Sequence, residues 1–289
     1  MTDWGAIARH IGDVTGQAFT PHDRSSVGGG CISAATVLSD GPRSYFVKCN
    51  DASRLDLFEA EADGLAALAS SGTIRVPVPV CWGLAGGASY LVLERLNLAG
   101  AGRGAEAGRR LAELHRAGGT AFGWRRDNYI GATPQPNNQT PDWIAFWRDR
   151  RLGFQLDLAA RNGHGRVLQQ QGDRLLADLG AFIGHQPSPS LLHGDLWGGN
   201  LAYLADGSPV IFDPAVYLGD READLAMTEL FGGFGPRFYR AYAEAGAMTD
   251  AYPAYRRDLY QLYYLLVHVN LFGRGYLAGT MDALARALD

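Results

Sequence analysis

Apolar and polar positions follow two different periods along this chain. In the first third, short runs alternate between apolar and polar residues and end at Gly or Pro turns, which predicts strands joined as hairpins. These runs lie at residues 34–38, 45–49, 76–84 and 89–96. A helical period at residues 57–68 interrupts them, and beyond residue 104 helical periods predominate. The order predicts an α+β fold, with a small antiparallel sheet and one main helix before a larger, mostly helical part.

A Gly- and Ala-rich loop at residues 98–104 separates the two patterns. We place the domain boundary just before it, which gives a first lobe at residues 1–96 and a second at residues 97–289. In the second lobe, a long helix is predicted to start with Thr140 as its N-cap. A further helix is expected at residues 174–184.

The composition is that of an ordinary globular chain. Apolar residues make up 47% and charged residues 19%, and the net charge is −4. We expect neither a nucleic-acid partner nor a membrane span, since there is no strong basic charge and no long apolar stretch. The cysteines are odd in number and lack metal-ligand spacing, and the first residues do not read as a signal peptide. A cytoplasmic protein is the prediction.

The densest group of candidate catalytic residues lies at residues 191–200, LLHGDLWGGN, and continues in VIFD at residues 210–213. Asp195 precedes Asn200 by five residues, and Asp213 ends the next apolar run. In kinase-type phosphoryl transfer, such an Asp orients the attacking hydroxyl, while the Asn and the second Asp hold Mg²⁺. Alone, the pattern is moderately specific, because a His and two carboxylates also occur in metal and hydrolase sites.

The first lobe offers candidate groups for binding phosphate. Gly28, Gly29 and Gly30 lie between two predicted strands, where backbone amides can approach phosphate oxygens unobstructed. Lys48 lies on the returning strand and is the single Lys among 26 basic residues, which suggests a need for a compact ammonium. A Gly-rich turn is often only a turn, however, and a single Lys must fall somewhere.

Two further features of the first lobe extend the nucleotide hypothesis. Glu61 shares the apolar stripe of the main helix, where a charge is costly unless paired, so we predict that it pairs with Lys48. Residues 94–97 follow the last strand of this lobe, as does the hinge whose backbone contacts adenine in kinase-like folds. Glu94 and Leu96 are therefore candidate nucleotide contacts.

With these elements in order, the chain resembles the fructosamine-3-kinase (ketosamine kinase) family, related to aminoglycoside and choline kinases. The resemblance rests on GGCIS at 29–33, LHGDLWGGN at 192–200 and FDPAVYLGDREADLAM at 212–227. DNYIGA at 127–132 and PQPN at 134–137 support it.

The resemblance implies a protein-kinase-like two-lobe fold and phosphorylation of the 3-hydroxyl of a ketosamine by ATP with Mg²⁺. The phosphorylated adduct would be labile, so the free amine would be released, which is a deglycation repair. The acceptors would be small ketosamines or glycated lysines of proteins, and Trp197 would lie against the sugar. Trp197 could instead be a core residue. Gly194 replaces the Arg of the protein-kinase His-Arg-Asp motif, which favours a small-molecule or glycated-amine kinase.

Cys31 lies in the predicted phosphate loop, where backbone amides that stabilise phosphate would also stabilise a thiolate. We hypothesise that it is oxidisable, so that the protein is a monomer or a redox-dependent homodimer. The alternative is that Cys31 is a small apolar filler.

Three other functions stay open at this point. The chain could phosphorylate another small alcohol, such as an aminoglycoside, choline or a sugar, since the nucleotide half would look the same. It could be a catalytically silent nucleotide-binding homologue, although a silent protein has no reason to keep Lys48, Asp195, Asn200 and Asp213. A metal-dependent hydrolase would need a larger ligand cluster. The polar run at residues 219–224 is expected to brace the catalytic loop, and His115 is expected to be structural.

Overall fold

The computed structural model describes residues 2–28, 33–100, 102–246, 248 and 252–288. The chain divides into two compact units. The first unit comprises Met1–Gly102 and Ala202–Phe212, and the second comprises Arg103–Leu201 and Asp213–Asp289. The predicted lobe boundary after residue 96 stays a prediction.

The first unit is built on an antiparallel five-stranded sheet of order β1-β2-β3-β5-β4, joined by a three-stranded sheet of order β11-β10-β6. Its helices and strands are α1 (Trp4–Thr15), β1 (Asp23–Val27), β2 (Ala34–Ser39), β3 (Ser44–Asp51), α2 (Leu55–Ser70), β4 (Pro79–Ala85), β5 (Ala88–Glu94), β6 (Leu98–Ala99), β10 (Leu201–Leu204) and β11 (Pro209–Ile211).

Strand register fixes the position of Lys48 in this sheet. Lys48 lies on β3 opposite Ala35 of β2 and Leu91 of β5. Since side chains alternate along a strand, Val47 and Cys49 point to the opposite face and join the buried cluster beneath α1. Lys48 is thereby directed away from that cluster.

The second unit is mainly helical. Its elements are α3 (Gly104–Leu114), β7 (Asn128–Ile130), β8 (Thr133–Gln135), α4 (Trp143–Phe146), α5 (Gly153–Arg161), α6 (Arg166–Ala177), α7 (Leu179–Ile183), β9 (Ser190–Leu192), β12 (Tyr217–Gly219), α8 (Arg221–Leu230), α9 (Pro236–Ala245), α10 (Arg257–Phe272) and α11 (Leu277–Leu288). β7 pairs with β8, and β9 pairs with β12, both antiparallel. In the parts of the chain that the structure describes, no helix is sufficiently long and apolar to cross a membrane.

Two predicted helix bounds in this unit are wrong. The helix expected at Thr140 begins at Trp143, with Asp142 as its cap, because Thr140 forms a backbone bridge with Phe122 and is extended. The Asp142 carboxylate accepts hydrogen bonds from the amides of residues 144 and 145. The helix expected at residues 174–184 is instead the end of α6 followed by the short α7, because Asp178 leaves helical geometry at φ −110°.

Candidate active site

The loop that follows β9 depends on a glycine. Gly194 has φ 83°, a region that disfavours side chains, and a Cβ there would lie 2.0 Å from the carbonyl oxygen of Ala215. A backbone hydrogen bond joins the residue after β9 to the segment before β12 at this point, since the Ala215 amide donates to the His193 carbonyl at 2.8 Å. Any residue with a side chain at position 194, including the Arg of protein kinases, would have to displace this backbone.

Asp224 on α8 also holds the loop that follows β9 in place. Its carboxylate accepts the His193 amide at 2.7 Å and the Gly194 amide at 2.8 Å. His115 lies 3.2 Å from the same carboxylate and 2.8 Å from the Tyr242 hydroxyl. Asp224 is fully buried, so these hydrogen bonds are made away from water, where an unmade one is costly. The bracing network predicted at residues 219–224 is present, and His115 belongs to it as a structural residue.

Asn200 is held against the candidate catalytic carboxylate. Its side-chain amide nitrogen donates to the Asp195 carbonyl oxygen at 2.8 Å and lies 3.5 Å from the Asp195 carboxylate. Asn200 is 5% exposed. Because the nitrogen is used in this way, the amide oxygen is the Asn200 atom that a cation could use.

Asp213 has a strained backbone and places a second carboxylate near the first. Its φ is 59°, which makes it the single non-glycine with positive φ among the described residues. Such strain concentrates at functional sites. Burial, reinforced by the charges of Asp213 and Asp224, raises the pKa of Asp195 to about 7. A carboxyl group with this pKa can accept a proton near neutral pH.

The donor set suits a hard divalent cation. An amide oxygen from Asn200 and a carboxylate from Asp213 are oxygen ligands of the kind that Mg²⁺ prefers. Repulsion between the carboxylates of Asp195 and Asp213 shows an excess of negative charge that a cation would offset. The residues therefore fit the predicted metal site.

Trp197 is not a core residue. Its side chain is 40% exposed, although it lies two residues from Asp195. A Cβ at Gly199 would overlap the indole at 2.3 Å, so the glycine makes room for this ring. An exposed aromatic face close to the candidate catalytic carboxylate is consistent with the predicted sugar contact, which stays a prediction.

In the first unit, the predicted partner of the lysine is found. The Lys48 ammonium donates to a Glu61 carboxylate oxygen at 2.6 Å, with side chains 13% and 10% exposed. Glu61 lies on the buried face of α2, as its place on the apolar stripe predicted. The pair holds the ammonium of Lys48 at a fixed position on β3.

The other predicted nucleotide contacts are only partly described. Gly28 is exposed, and a Cβ there would meet no neighbour. Gly29, Gly30 and Cys31 lie outside the described residues. Glu94 uses its carboxylate within its own unit, accepting hydrogen bonds from Arg75 at 2.6 Å and from the Val78 amide at 2.7 Å.

Leu96 follows β5 and is half-buried. Because the Glu94 carboxylate is bonded to Arg75 and to the Val78 amide, a nucleotide contact at Glu94 would use the backbone. That is the kind of contact predicted for a hinge.

One other cluster of ligand-type side chains lies in the second unit. Among the described residues, His185, Asp220 and Glu222 bring their ligand atoms within 4.8 Å of one another. Each is already engaged: His185 lies 2.6 Å from Asp220, which also accepts from Tyr260 at 2.6 Å, and Glu222 forms a two-bond ion pair with Arg256. The cluster ties helices together and gives no support to the hydrolase alternative.

The match to one family extends over nearly the whole sequence. A sequence model of the fructosamine kinase family matches residues 3–289. The probable ketoamine kinase of Synechocystis is 48% identical over an alignment that covers 99% of this chain and 97% of that protein. The chloroplastic protein-ribulosamine 3-kinase of Arabidopsis thaliana is 44% identical over 90% of this chain and 80% of its own length. This chain belongs to the fructosamine kinase family.

The fold agrees with membership of the fructosamine kinase family. A crystal structure from Haemophilus somnus, described as a fructosamine-3-kinase, matches with a TM-score of 0.91 at 30% identity over 99% of this chain and 98% of that one. The family resemblance found in the sequence and the predicted α+β kinase-like fold are both confirmed.

Proposed function

We propose that this member of the fructosamine kinase family transfers the γ-phosphoryl group of ATP to the 3-hydroxyl of a ketosamine. The observation that carries the proposal is the set formed by Asp195, Asn200 and Asp213. A half-buried carboxylate with a pKa near neutrality lies beside an amide and a second carboxylate, which is carried by the strained backbone of Asp213. This is the donor set that kinase-type phosphoryl transfer requires.

Asp195 orients the acceptor hydroxyl and takes its proton. The bond between the acceptor oxygen and the γ-phosphorus forms as the bond from that phosphorus to ADP breaks. Asn200 and Asp213 would hold Mg²⁺, which would supply positive charge to the phosphate oxygens. Asp224 keeps the amides of His193 and Gly194 in place, so Asp195 is pre-positioned and little reorganisation is needed.

The first unit supplies the groups proposed to bind the nucleotide. Lys48, fixed by Glu61, neutralises phosphate charge, and the backbone amides of Gly28, Gly29 and Gly30 bind phosphate oxygens. The backbone at Glu94 and Leu96 contacts adenine. Trp197 presents its exposed face to the apolar side of the sugar.

Phosphorylation at the 3-position makes the ketosamine labile, so the proposed outcome is release of the free amine. The acceptor is a small ketosamine or a glycated lysine of a protein. A cytoplasmic location is supported by Cys49 and Cys81, which are buried thiols without a disulfide. Redox control through Cys31 and a redox-dependent homodimer remain predictions.

The test is consumption of Mg²⁺-ATP by the purified protein with a fructosamine or ribulosamine of lysine. Kanamycin and choline serve as competing acceptor classes, and Asp195→Asn is the inactive control. Ketosamine-dependent turnover that disappears in the variant is the expected result. Turnover with kanamycin or choline alone would keep the kinase and overturn the acceptor, and ATP binding without any turnover would favour a silent homologue.

A further inference from the structure

Five aromatic side chains form a continuous row in the second unit, which we call the aromatic strip. Its members are Trp197, Phe231, His268, Phe272 and Tyr276. Trp197 lies 6.3 Å from Phe231, which lies 4.8 Å from His268, measured between ring centroids. His268 in turn lies 5.6 Å from Phe272 and 5.0 Å from Tyr276, and these last two rings are 6.0 Å apart.

Three of the five rings of the strip are exposed to solvent, and the other two are partly exposed. Trp197 is 40%, Phe231 39% and Phe272 50% exposed. Single exposed apolar residues are ordinary, but a contiguous group of them marks a binding surface. The strip begins at Trp197, two residues from Asp195, and continues through residues on and beyond α10. It is thus a surface that leads away from the candidate catalytic carboxylate.

His268 contributes a ring without a positive charge. Its Nδ1 donates to the Tyr264 carbonyl at 2.8 Å, which fixes the tautomer and leaves Nε2 as an acceptor. Burial lowers the pKa of His268, so the neutral imidazole is favoured at physiological pH. A cation that approaches the strip is therefore not repelled by its histidine.

We propose, building on the proposed function, that the aromatic strip binds the amine substituent of the ketosamine. A ketosamine has two chemically different ends: a sugar that must reach Asp195, and a protonated secondary amine that carries an aliphatic chain. With the sugar on Trp197, the other end extends along the strip. Aromatic faces attract an ammonium, and they cover methylene groups, so both parts of a lysine-type substituent are matched.

The proposal makes Phe272 and Tyr276 specificity-determining residues. They lie at the end of the strip remote from Trp197, beyond Phe231 and His268. A methyl substituent on the amine is too short to extend along the strip, whereas an aliphatic chain extends towards these two rings. The occupant to which the strip commits is thus an aliphatic amine chain, such as that of lysine, attached to the sugar.

The experiment compares two acceptors, the ketosamine of methylamine and the Nε-ketosamine of Nα-acetyl-lysine. The readout is the ratio of kcat/KM for the lysine acceptor to kcat/KM for the methylamine acceptor. Phe272→Ala and Tyr276→Ala should each lower this ratio about two- to fivefold, the range expected when about one methylene group of the lysine chain loses its cover, chiefly through KM. Phe272→Tyr, which keeps a ring, should restore it.

Trp82→Ala is the matched control, since Trp82 is 42% exposed on β4 of the first unit and lies outside the strip. It should leave the ratio unchanged. A wild-type protein that phosphorylates both acceptors, with a ratio that neither strip variant alters, would overturn this inference and leave the proposed function standing. A wild-type protein that phosphorylates neither would overturn the proposed function and the inference with it.

Discussion

Gly194 is the residue whose replacement the structure penalises most clearly. An alanine there would be held at φ 83° with its Cβ 2.0 Å from the Ala215 carbonyl oxygen. The left-handed backbone alone costs about 1–2 kcal/mol, and the overlap adds to it by displacing the loop. We expect Gly194→Ala to lower the free energy of unfolding by about 3 kcal/mol or more in urea titrations. Turnover should fall with it, because Asp195 is the next residue.

Gly198→Ala is the control for this prediction. It lies in the same loop, and a Cβ at Gly198 would meet no atom within 4 Å. Its free energy of unfolding should change by less than about 1 kcal/mol. Equal losses in the two variants would contradict the role assigned to the Gly194 backbone.

Asp195→Asn should abolish turnover while leaving nucleotide binding nearly intact. The amide keeps the shape of the carboxylate, but it cannot accept the hydroxyl proton, and a positioned base is worth about 10²–10⁴ in rate. Steady-state kcat and calorimetric titration with a non-hydrolysable ATP analogue measure the two properties separately. Loss of nucleotide affinity by more than tenfold would argue that Asp195 serves mainly to hold the nucleotide.

For single residues, the sequence predicts a role when a charged side chain lies at a buried position, because it then needs an oppositely charged partner. Glu61 is an example: a charge on an apolar stripe needs an opposite charge, and Lys48 was the single lysine available. The role of Asp224 was seen only as part of a polar run, because its partners are backbone amides about 30 residues earlier in the chain. No side-chain pattern reports on a backbone amide, or on the positive φ of Asp213.

At the scale of elements, one buried ion pair joins α8 to the start of α10. Arg256 donates to both carboxylate oxygens of Glu222 at 2.6 and 2.8 Å, and the residues are 2% and 4% exposed. Glu222→Gln removes the carboxylate that is bonded to this buried guanidinium, so we expect a loss of about 3–5 kcal/mol in the free energy of unfolding. Chemical denaturation followed by circular dichroism measures it.

A surface pair between the same two elements provides the control. Arg257 and Glu229 lie 3.5 Å apart with side chains 38% and 26% exposed. Glu229→Gln should cost less than about 1 kcal/mol, since water and salt screen this pair. The amide oxygen of the variant can still accept the hydrogen bond that the Tyr252 hydroxyl donates to Glu229 at 2.6 Å. A loss as large as that of Glu222→Gln would show that burial does not set the cost.

Helix existence in this chain could be predicted better than helix ends. Periodicity predicts the helix after residue 140, but the local signals favour Thr140 as its cap, because Pro141 suits the first helical position. The choice of Asp142 is made by a contact distant in sequence, the bridge between Thr140 and Phe122. Local patterns contain no information about that bridge.

At the scale of the whole molecule, burial should make two of the three thiols slow to react with alkylating reagents. It raises the pKa of Cys49 to about 11 and of Cys81 to about 12, against an ordinary value near 9. In a Cys31→Ser background at pH 8, alkylation of the native protein should be at least about 100-fold slower than alkylation of the unfolded chain. Mass spectrometry after timed iodoacetamide treatment counts the modified thiols.

The same shifts set the direction of a pH effect on stability. A thiol whose pKa is raised on folding stabilises the protein below the unfolded pKa near 9, and this contribution is lost as pH rises through about 11. Replacing Cys49 with Ala should therefore flatten the fall in unfolding midpoint above pH 9. Rapid alkylation of native Cys49 or Cys81 would contradict both statements.

Residues 202–212 belong to the first unit although the residues on both sides of them belong to the second, and this limits how the chain can be cut into separately folding fragments. The polypeptide leaves the first unit after residue 102, returns to it for this segment, and leaves it again. Asp213 directly follows the segment, and Asn200 precedes it by two residues. A fragment ending at residue 102 lacks β10 and β11, and its β6 is left as an unpaired edge. Neither half of the molecule is therefore a contiguous gene segment, and separately expressed halves are expected to aggregate rather than reassemble.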